Sequence, residues 1–493
     1  MKTINEITKK IYGNYPEKIL QFGEGNFLRA FADWMINSAN ENGSYKGSIV
    51  LCEPIPSAIQ GDKINVQNGI YTLVMRGIEN GKPVEKIQKI TSVSRCINAY
   101  KDFDALMSLA KKPDLEVIIS NTTEAGIVYK YGDKLTDNPP ESFPAKITLF
   151  LYERFKEFNG DKTKGLLFLP VELIDYNGTE LKKIVLRYAK EWNLEKYFID
   201  WIDEANKFTN TLVDRIVTGY PKNNIAEFEE KLGYKDDALV TSEIFNLWVI
   251  EGKKEWASIL PVHKSSGKVI WTDDVAPYKM RKVRILNGGH TATVLAAYLA
   301  GHNTVLDFMN DPVFTKYLDK LFVEEIMPTL DIAEKELETF ANAVKERFAN
   351  PYIKHNLLDI SLNSCSKFNA RCLPSLLEYI KRKNALPGLL SFSLAAFIKF
   401  YQVKRDEERD LYYAVRADNS QYVVKDDKAV LSFFAEIWQS KDPAEISKSV
   451  LSNKSFWSGR DLTSISGLKE KTAFYLSKLN DKSIRDVVAG LVK

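Results

Sequence analysis

Short apolar runs alternate with amphipathic ones along the first half of the chain. Lys18–Phe22 reads as a strand, and a glycine-bearing turn leads from it into a helix over Phe27–Ala39. Ser48–Cys52 reads as a second strand, and Tyr71–Met75 with the alternating stretch Val84–Val93 as an added hairpin. Asp104–Lys111 follows as a helix, Leu115–Ser120 as a buried strand, Ala145–Glu157 as a helix, Gly165–Leu169 as a strand and Thr179–Trp192 as a helix. Strands that alternate with helices need crossover connections, so the pattern predicts a largely parallel, doubly wound sheet. From about Tyr278 the period becomes helical: Thr291–Ala300, Asp311–Ile326, Ala333–Ala349, Cys372–Arg382, Leu389–Gln402, Ala429–Gln439 and Lys469–Lys478, with strand patterns nearly absent. The expected architecture is α/β, with a sheet domain over residues 1–272 and a mostly α-helical domain over residues 273–493. The break is expected between Gly267 and Pro277.

Composition narrows the class. At 493 residues the chain has room for two cores, and 45% hydrophobic with 27% charged residues is ordinary for a globular protein. A net charge of +3, without basic arms, argues against a nucleic-acid binder. Cys52, Cys96, Cys365 and Cys372 form no CxxC pair and no metal-like spacing with histidine. They read as reduced thiols of a cytoplasmic protein, and no metal site is expected. The first residues carry no apolar leader, and Leu389–Phe400 is too short to span a bilayer. The expected partner is a small molecule, with neither nucleic acid nor membrane.

Two segments carry candidate chemistry. Lys282-Val-Arg-Ile-Leu-Asn287-Gly-Gly-His290 gathers an amine, an amide and one of only four histidines into nine residues. On a helix Asn287 and His290 share a face, and Lys282 lies about 80° round from His290. A lysine whose proton affinity is lowered serves as general acid/base, and an amide steadies a developing oxyanion. The other reading is a basic helix face, since Lys279, Arg281 and Arg284 crowd the same segment. The second segment, Phe22-Gly23-Glu24-Gly25-Asn26-Phe27-Leu28-Arg29, follows the first strand and opens a helix, the setting of a Rossmann-like dinucleotide turn. Gly23 permits the turn and Gly25 lets backbone approach a pyrophosphate. Leu28 replaces the third glycine, and Arg29 is a candidate phosphate contact. Glu53, ending the second strand, suits a ribose hydroxyl and tilts the choice toward NAD over NADP. Asn121 and Thr122 follow a later strand, where a cofactor would lie.

Six segments together resemble the mannitol dehydrogenase family of polyol-specific long-chain dehydrogenases. They are Ile19–Ala30, Ser120–Gly126, Pro170–Gly178, Leu212–Pro221, the Lys282–His290 segment, and Arg347–His355. Within that family the chain is most similar to members acting on hexuronates. The resemblance implies an NAD-linked, metal-independent interconversion of a secondary alcohol and a ketone. It implies Lys282 as general acid/base, Asn287 polarising the carbonyl, and His290 holding a substrate hydroxyl. Asp214, in the pair Val213-Asp214, and Lys367 fall on family substrate positions.

The chain also departs from the family pattern. Leu173 stands where mannitol dehydrogenases carry a second oxyanion asparagine, leaving Asn287 with Lys282 alone or with a new donor such as Asn177. Asp359 stands in place of a family arginine. Both losses fit a substrate other than mannitol. A hexuronate carboxylate requires cations, for which Lys354, His355, Lys367 and Arg371 are all candidates. The alternatives of different chemistry are a cysteine-dependent sugar-acid oxidation and a non-catalytic nucleotide sensor.

Overall fold

In the computed structural model, which describes residues 1–493 except Glu124, the first half folds into thirteen named strands and their helices. The strands are β1 (Glu17–Phe22), β2 (Ser48–Glu53), β3 (Tyr71–Glu79), β4 (Lys82–Ile90), β5 (Val93–Asn98), β6 (Val117–Ser120), β7 (Leu167–Pro170), β8 (Lys207–Phe208), β9 (Asn210–Asp214), β10 (Val217–Gly219), β11 (Val240–Glu243), β12 (Leu247–Glu251) and β13 (Val269–Thr272). Six of them pair in the order β5-β2-β1-β6-β7-β8, every pair parallel. Relabelled along that sheet, the order is 3-2-1-4-5-6, the dinucleotide-binding arrangement, and it reverses between β1 and β6.

The apolar runs are continuous because both sheet faces are covered. Alternate residues segregate. Ile19, Ile49, Leu51, Val117, Ile119, Leu167 and Leu169 join one core. Leu20, Phe22, Val50, Cys52, Ile118 and Phe168 join the other. The helices Phe143–Glu157, Asn177–Glu191 and Lys196–Ala205 supply apolar side chains to the second core.

Two expectations are corrected here. The stretch ending at Val93 is not simply a hairpin arm: β4 ends at Ile90, and Val93–Asn98 is a separate parallel strand beside β2. The helix after the glycine turn is interrupted. A single turn, Asn26–Arg29, stops at Phe31 (φ −128°, ψ −81°), and a new helix runs Ala32–Glu41.

A buried relay sits under this break. Asp33 Oδ2 lies 2.9 Å from the Tyr71 hydroxyl, which lies 2.9 Å from the Arg29 carbonyl. One phenolic proton cannot serve two acceptors, so a protonated Asp33 donating to Tyr71, which donates to Arg29, satisfies both contacts. Burial raises the Asp33 carboxyl to about 7 against the opposing hydrogen bond of Tyr71. A carboxyl raised on folding is ionised in the unfolded chain first. Its contribution to stability therefore falls as pH rises from about 4 to about 7 and is level beyond. Asp33→Asn, which donates to Tyr71 at every pH, should gain thermal stability over the wild type at pH 8 relative to pH 5. An identical difference at both pH values would show that Asp33 does not titrate there.

The chain divides into two units, Met1–Glu79 with Pro83–Val275, and Asn80–Lys82 with Ala276–Lys493. The second unit is helical, as the period predicts, but it also holds a small antiparallel sheet: β14 (Lys404–Asp406), β15 (Leu411–Val415) and β16 (Gln421–Val423). Its central helix Gly388–Phe400 is almost entirely buried, and the first-turn amides of Leu389 and Leu390 each donate at 2.7 Å to the buried Glu325 carboxylate. No helix among the described residues is long and apolar enough to cross a membrane.

Two stretches of this unit wind as π-helix, Lys282–Asn287 and Leu321–Ile326. The first continues the helix Ala276–Arg281 and runs into the helix Gly288–Leu299. The two π-turns pack together, with the Phe322 ring on the second occupying the place of a side chain at Gly289; an added Cβ would come within 2.7 Å of that ring.

Candidate active site

In the first unit the glycine turn sits at the carboxyl end of β1. The Gly23 amide donates to Cys52 O (2.9 Å), and the Asn121 amide donates to Phe22 O (2.9 Å). Gly23 has φ +117°, and a Cβ there would come within 3.0 Å of Asn121 O. Both facts require glycine. Gly25 differs: its φ is −64°, and a Cβ would meet nothing within 4 Å. The fold itself does not need a glycine at this position, whereas a closely approaching pyrophosphate does.

Phe27 stacks on Phe31 with ring centroids 5.0 Å apart. It lines a cavity of about 330 Å³ with Asn121, Thr123, Leu173 and Val213. This cavity lies at the carboxyl ends of β1, β6 and β7, where the strand order reverses and where open α/β sheets take their ligands, with Val213 added from β9 of a separate three-stranded sheet. Thr123 adopts φ +73°, a left-handed conformation that a β-branched residue reaches only when its surroundings impose it. Behind the loop, the buried Glu172 accepts from the Thr122 amide (3.0 Å), the Thr122 hydroxyl (2.9 Å) and the Ser120 hydroxyl (3.1 Å). The Thr122 loop is thus fixed from below by an acid that the sequence reading left without a role. Glu124, the next residue of the segment, lies outside the described residues.

Three expected contacts come out differently. Arg29 is buried and turned away from any phosphate. It donates to Glu24 O (3.0 Å), to Asn26 Oδ1 (2.7 Å) and to Ala238 O, bracing the turn rather than lining it. Asn177 cannot supply a second oxyanion donor. Its amide donates to Pro170 O (3.0 Å) and Glu172 O (3.1 Å), while its Oδ1 accepts from the Thr211 amide (2.9 Å), so it is committed to backbone. Glu53 is buried as well, accepting from the Gly61 amide (2.7 Å) and the Asn98 side chain (2.9 Å). Its charge is still felt at Glu24 in the turn, where burial chiefly, and Glu53 in addition, raises the carboxyl. Asp214 ends β9 and is buried.

In the second unit the π-turn decides the geometry. On an α-helix Lys282 and Asn287 would point about 140° apart. The i→i+5 bonding of a π-turn stacks residues five apart, so these two share one face. The neighbouring cations have partners of their own. Arg281 pairs with Glu336 and lies over the Phe340 ring (4.5 Å), and Arg284 donates to Ser375 Oγ (3.0 Å).

His290, one α-turn beyond Asn287, is buried. Its ring stacks on Phe348 (3.9 Å between centroids, 25°) and meets His355 edge-on at 5.1 Å. Burial first, then the charges of His355, Arg347, Arg371 and Lys367, hold its proton affinity well below the ordinary histidine value. It is therefore neutral at pH 7 and able both to donate and to accept a hydrogen bond. Nδ1 has no hydrogen-bond partner among the described residues. Lys367 donates to Ile360 O (3.0 Å), and burial followed by Arg371 lowers its proton affinity. Lys354 is exposed. The structure thus gathers Asn287, His290, His355 and Lys367 and adds Arg347 and Phe348. In the sequence these two stood only as members of the family-like segment Arg347–His355, with no role of their own.

A 3-2-1-4-5-6 sheet with an open glycine turn at its switch point is the frame of a dinucleotide-dependent dehydrogenase, and a lysine–amide pair is suited to moving a proton on and off a substrate oxygen. Residues 17–263 match the Mannitol dehydrogenase Rossmann domain and residues 274–479 the Mannitol dehydrogenase C-terminal domain. The chain belongs to the mannitol dehydrogenase family. It is 46% identical to an altronate oxidoreductase of Shigella flexneri and 45% identical to one of Escherichia coli O6:K15:H31, in each case over 100% of both chains. Its fold is shared with D-sorbitol dehydrogenase in substrate-free form (TM-score 0.79, 19% identity, 99% of this chain and 100% of that one). It is also shared with Pseudomonas fluorescens mannitol 2-dehydrogenase in ternary complex with NAD and D-mannitol (TM-score 0.67, 20% identity, 98% and 95%).

Proposed function

We propose that the protein interconverts D-tagaturonate and D-altronate with NAD, in the cytoplasm, as a step of hexuronate catabolism. The observation that carries the chemistry is the π-turn that stacks Lys282 and Asn287 one helical turn from a neutral His290. The end-to-end identity with altronate oxidoreductases carries the substrate. The residues at the switch point suit NAD: Gly25 leaves open space for a pyrophosphate, Phe27, Asn121 and Leu173 border a cavity, and Glu53 with Glu24 places negative charge near the turn, unfavourable to a 2′-phosphate.

A bound nicotinamide supplies the hydride in reduction and takes it in oxidation. The protein positions the substrate and moves the proton. In reduction the Asn287 amide donates to the carbonyl oxygen as negative charge develops on it, and the Lys282 ammonium gives that oxygen a proton. In oxidation neutral Lys282 removes the hydroxyl proton. His290 pairs with a neighbouring substrate hydroxyl, and Lys367, His355 and Lys354 of the same unit are the further substrate contacts. With Leu173 apolar and Asn177 committed to backbone, Asn287 is the sole amide assigned to the oxyanion. Asn287→Ala should therefore lower kcat by about 10²- to 10³-fold, as loss of an oxyanion donor does, without weakening NADH binding. A kcat within a few-fold of the wild type would remove it from that role.

The second reading is the same chemistry on fructuronate, giving mannonate, or on another ketose. Steady-state rates with tagaturonate, fructuronate and fructose, each with NADH and NADPH, test the proposal. The highest kcat/KM is expected for tagaturonate with NADH, and a higher value for fructuronate or fructose would overturn it.

A further inference from the structure

Around His290 the second unit collects positive charge on three separate elements. Arg347 is in the last turn of the helix Glu334–Phe348, next to the Phe348 ring that stacks on His290. His355 lies before the helix Leu357–Ser361. Lys367 and Arg371 are one turn apart on the helix Ser364–Arg371. All four act on His290, and no carboxylate stands among its largest electrostatic influences. His355 in turn has its proton affinity lowered by burial and by Arg347, against the pull of Asp359. Arg371 is half-buried, with burial lowering its own proton affinity. Asp426 pulls the other way on Lys367, as Asp359 does on His355, and a substrate carboxylate entering beside these cations would be held by charge-assisted hydrogen bonds.

The spacing indicates where such an anion would lie. Arg371 Nη1 reaches Thr291 Oγ1 at 3.4 Å, and the Arg371 carbonyl backs directly onto Gly288, where a Cβ would sit 3.3 Å from it. Gly288 is what lets this helix end approach. Thr291 is four residues after Asn287 along the helix, a rise of about 6 Å. In tagaturonate the carboxylate is four carbon–carbon bonds from the ketone, a comparable span. With the ketone at Asn287, the carboxylate falls beside Arg371.

We propose that Arg371, backed by Arg347 and His355, is the receptor for the substrate carboxylate and sets the preference for uronates over neutral ketoses. The inference rests on the tagaturonate–altronate reading of the same site. A guanidinium there offers two parallel donors to a carboxylate. Asp359, exposed and in hydrogen-bond contact with Asn356 at 2.9 Å, puts negative charge on the His355 side of the cluster, which leaves the Arg371 side the more positive.

The test compares D-tagaturonate with D-tagatose, its counterpart carrying a hydroxymethyl group in place of the carboxylate. In Arg371→Met, kcat/KM for tagaturonate should fall about 10²-fold, chiefly through KM, while the value for tagatose stays within a few-fold of the wild type. Arg371→Lys, which keeps the charge and loses the fork, should recover part of the loss. An equal fall for both substrates, or no fall for tagaturonate, overturns the proposal. Thermal stabilisation of the NADH-loaded protein by D-altronate against neutral altritol provides a readout independent of turnover. The wild type should prefer altronate and Arg371→Met should not; a preference that survives the substitution, or is absent from the wild type, also overturns it. A wild type that binds altronate selectively through Arg371 yet fails to reduce tagaturonate would instead sink the assignment of the reaction.

Discussion

Lys282→Ala is expected to lower kcat by about 10²- to 10⁴-fold, the range for loss of a positioned general acid/base, while a fluorescence titration finds NADH affinity nearly unchanged. Lys282 lies on the second unit, whereas the glycine turn and the described residues that line the cavity behind it belong to the first. Removing the amine therefore leaves the cofactor contacts in place. Lys282→Arg should be almost as inactive, because a guanidinium does not give up its proton at accessible pH. Neighbouring cations cannot stand in for it: Arg281 is held by Glu336 and Arg284 by Ser375. Near-normal turnover of Lys282→Ala would place the proton transfer elsewhere and leave the segment as a basic helix face.

Gly25→Val should raise KM for NADH at least tenfold and leave the melting temperature unchanged. The two glycines of the turn make different demands. Valine at Gly23 would meet both a left-handed backbone and the Asn121 carbonyl, so its cost would fall on folding. At Gly25 the backbone is extended (φ −64°, ψ 168°), a conformation valine accepts, and the space around a Cβ is open. The substitution is harmless to the apoprotein and obstructs only what occupies that space. Unchanged KM with intact folding would mean that the pyrophosphate does not cross Gly25; a large loss of stability would mean that the glycine is structural after all.

The parallel sheet was legible because its strands are buried on both faces, and burial on both faces leaves an unbroken apolar run, as in Ser48–Cys52 and Leu115–Ser120. Val93–Asn98 escaped notice because it follows a hairpin within three residues, and its intermediate Ser94 and Arg95 break the run. The short strands β14 to β16 escaped because each is only three to five residues long, too short for an alternating pattern to stand out. Arg29 looked like a phosphate ligand because its distance from the glycines suited one. Only the fold brings the Ala238 carbonyl, more than two hundred residues later, to its guanidinium. Glu172 and Asn177 likewise take their roles from partners on other strands and loops, Thr122 and Thr211.

The sequence by itself determined the two-part architecture, the family, and the residue types of the chemistry: an amine, an amide and an imidazole within nine positions, and a glycine turn after the first strand. Those are properties of local period and spacing. Tertiary structure alone decided how they face. Lys282 and Asn287 lie on one side only because the segment winds as a π-turn, against a second π-turn whose Phe322 fills the space left by Gly289. Backbone winding of this kind is set by what packs against the helix, and no hydrophobic period records it. The charge around His290 has the same origin. Arg347, His355, Lys367 and Arg371 are up to 81 positions away from it in sequence, and folding makes them neighbours.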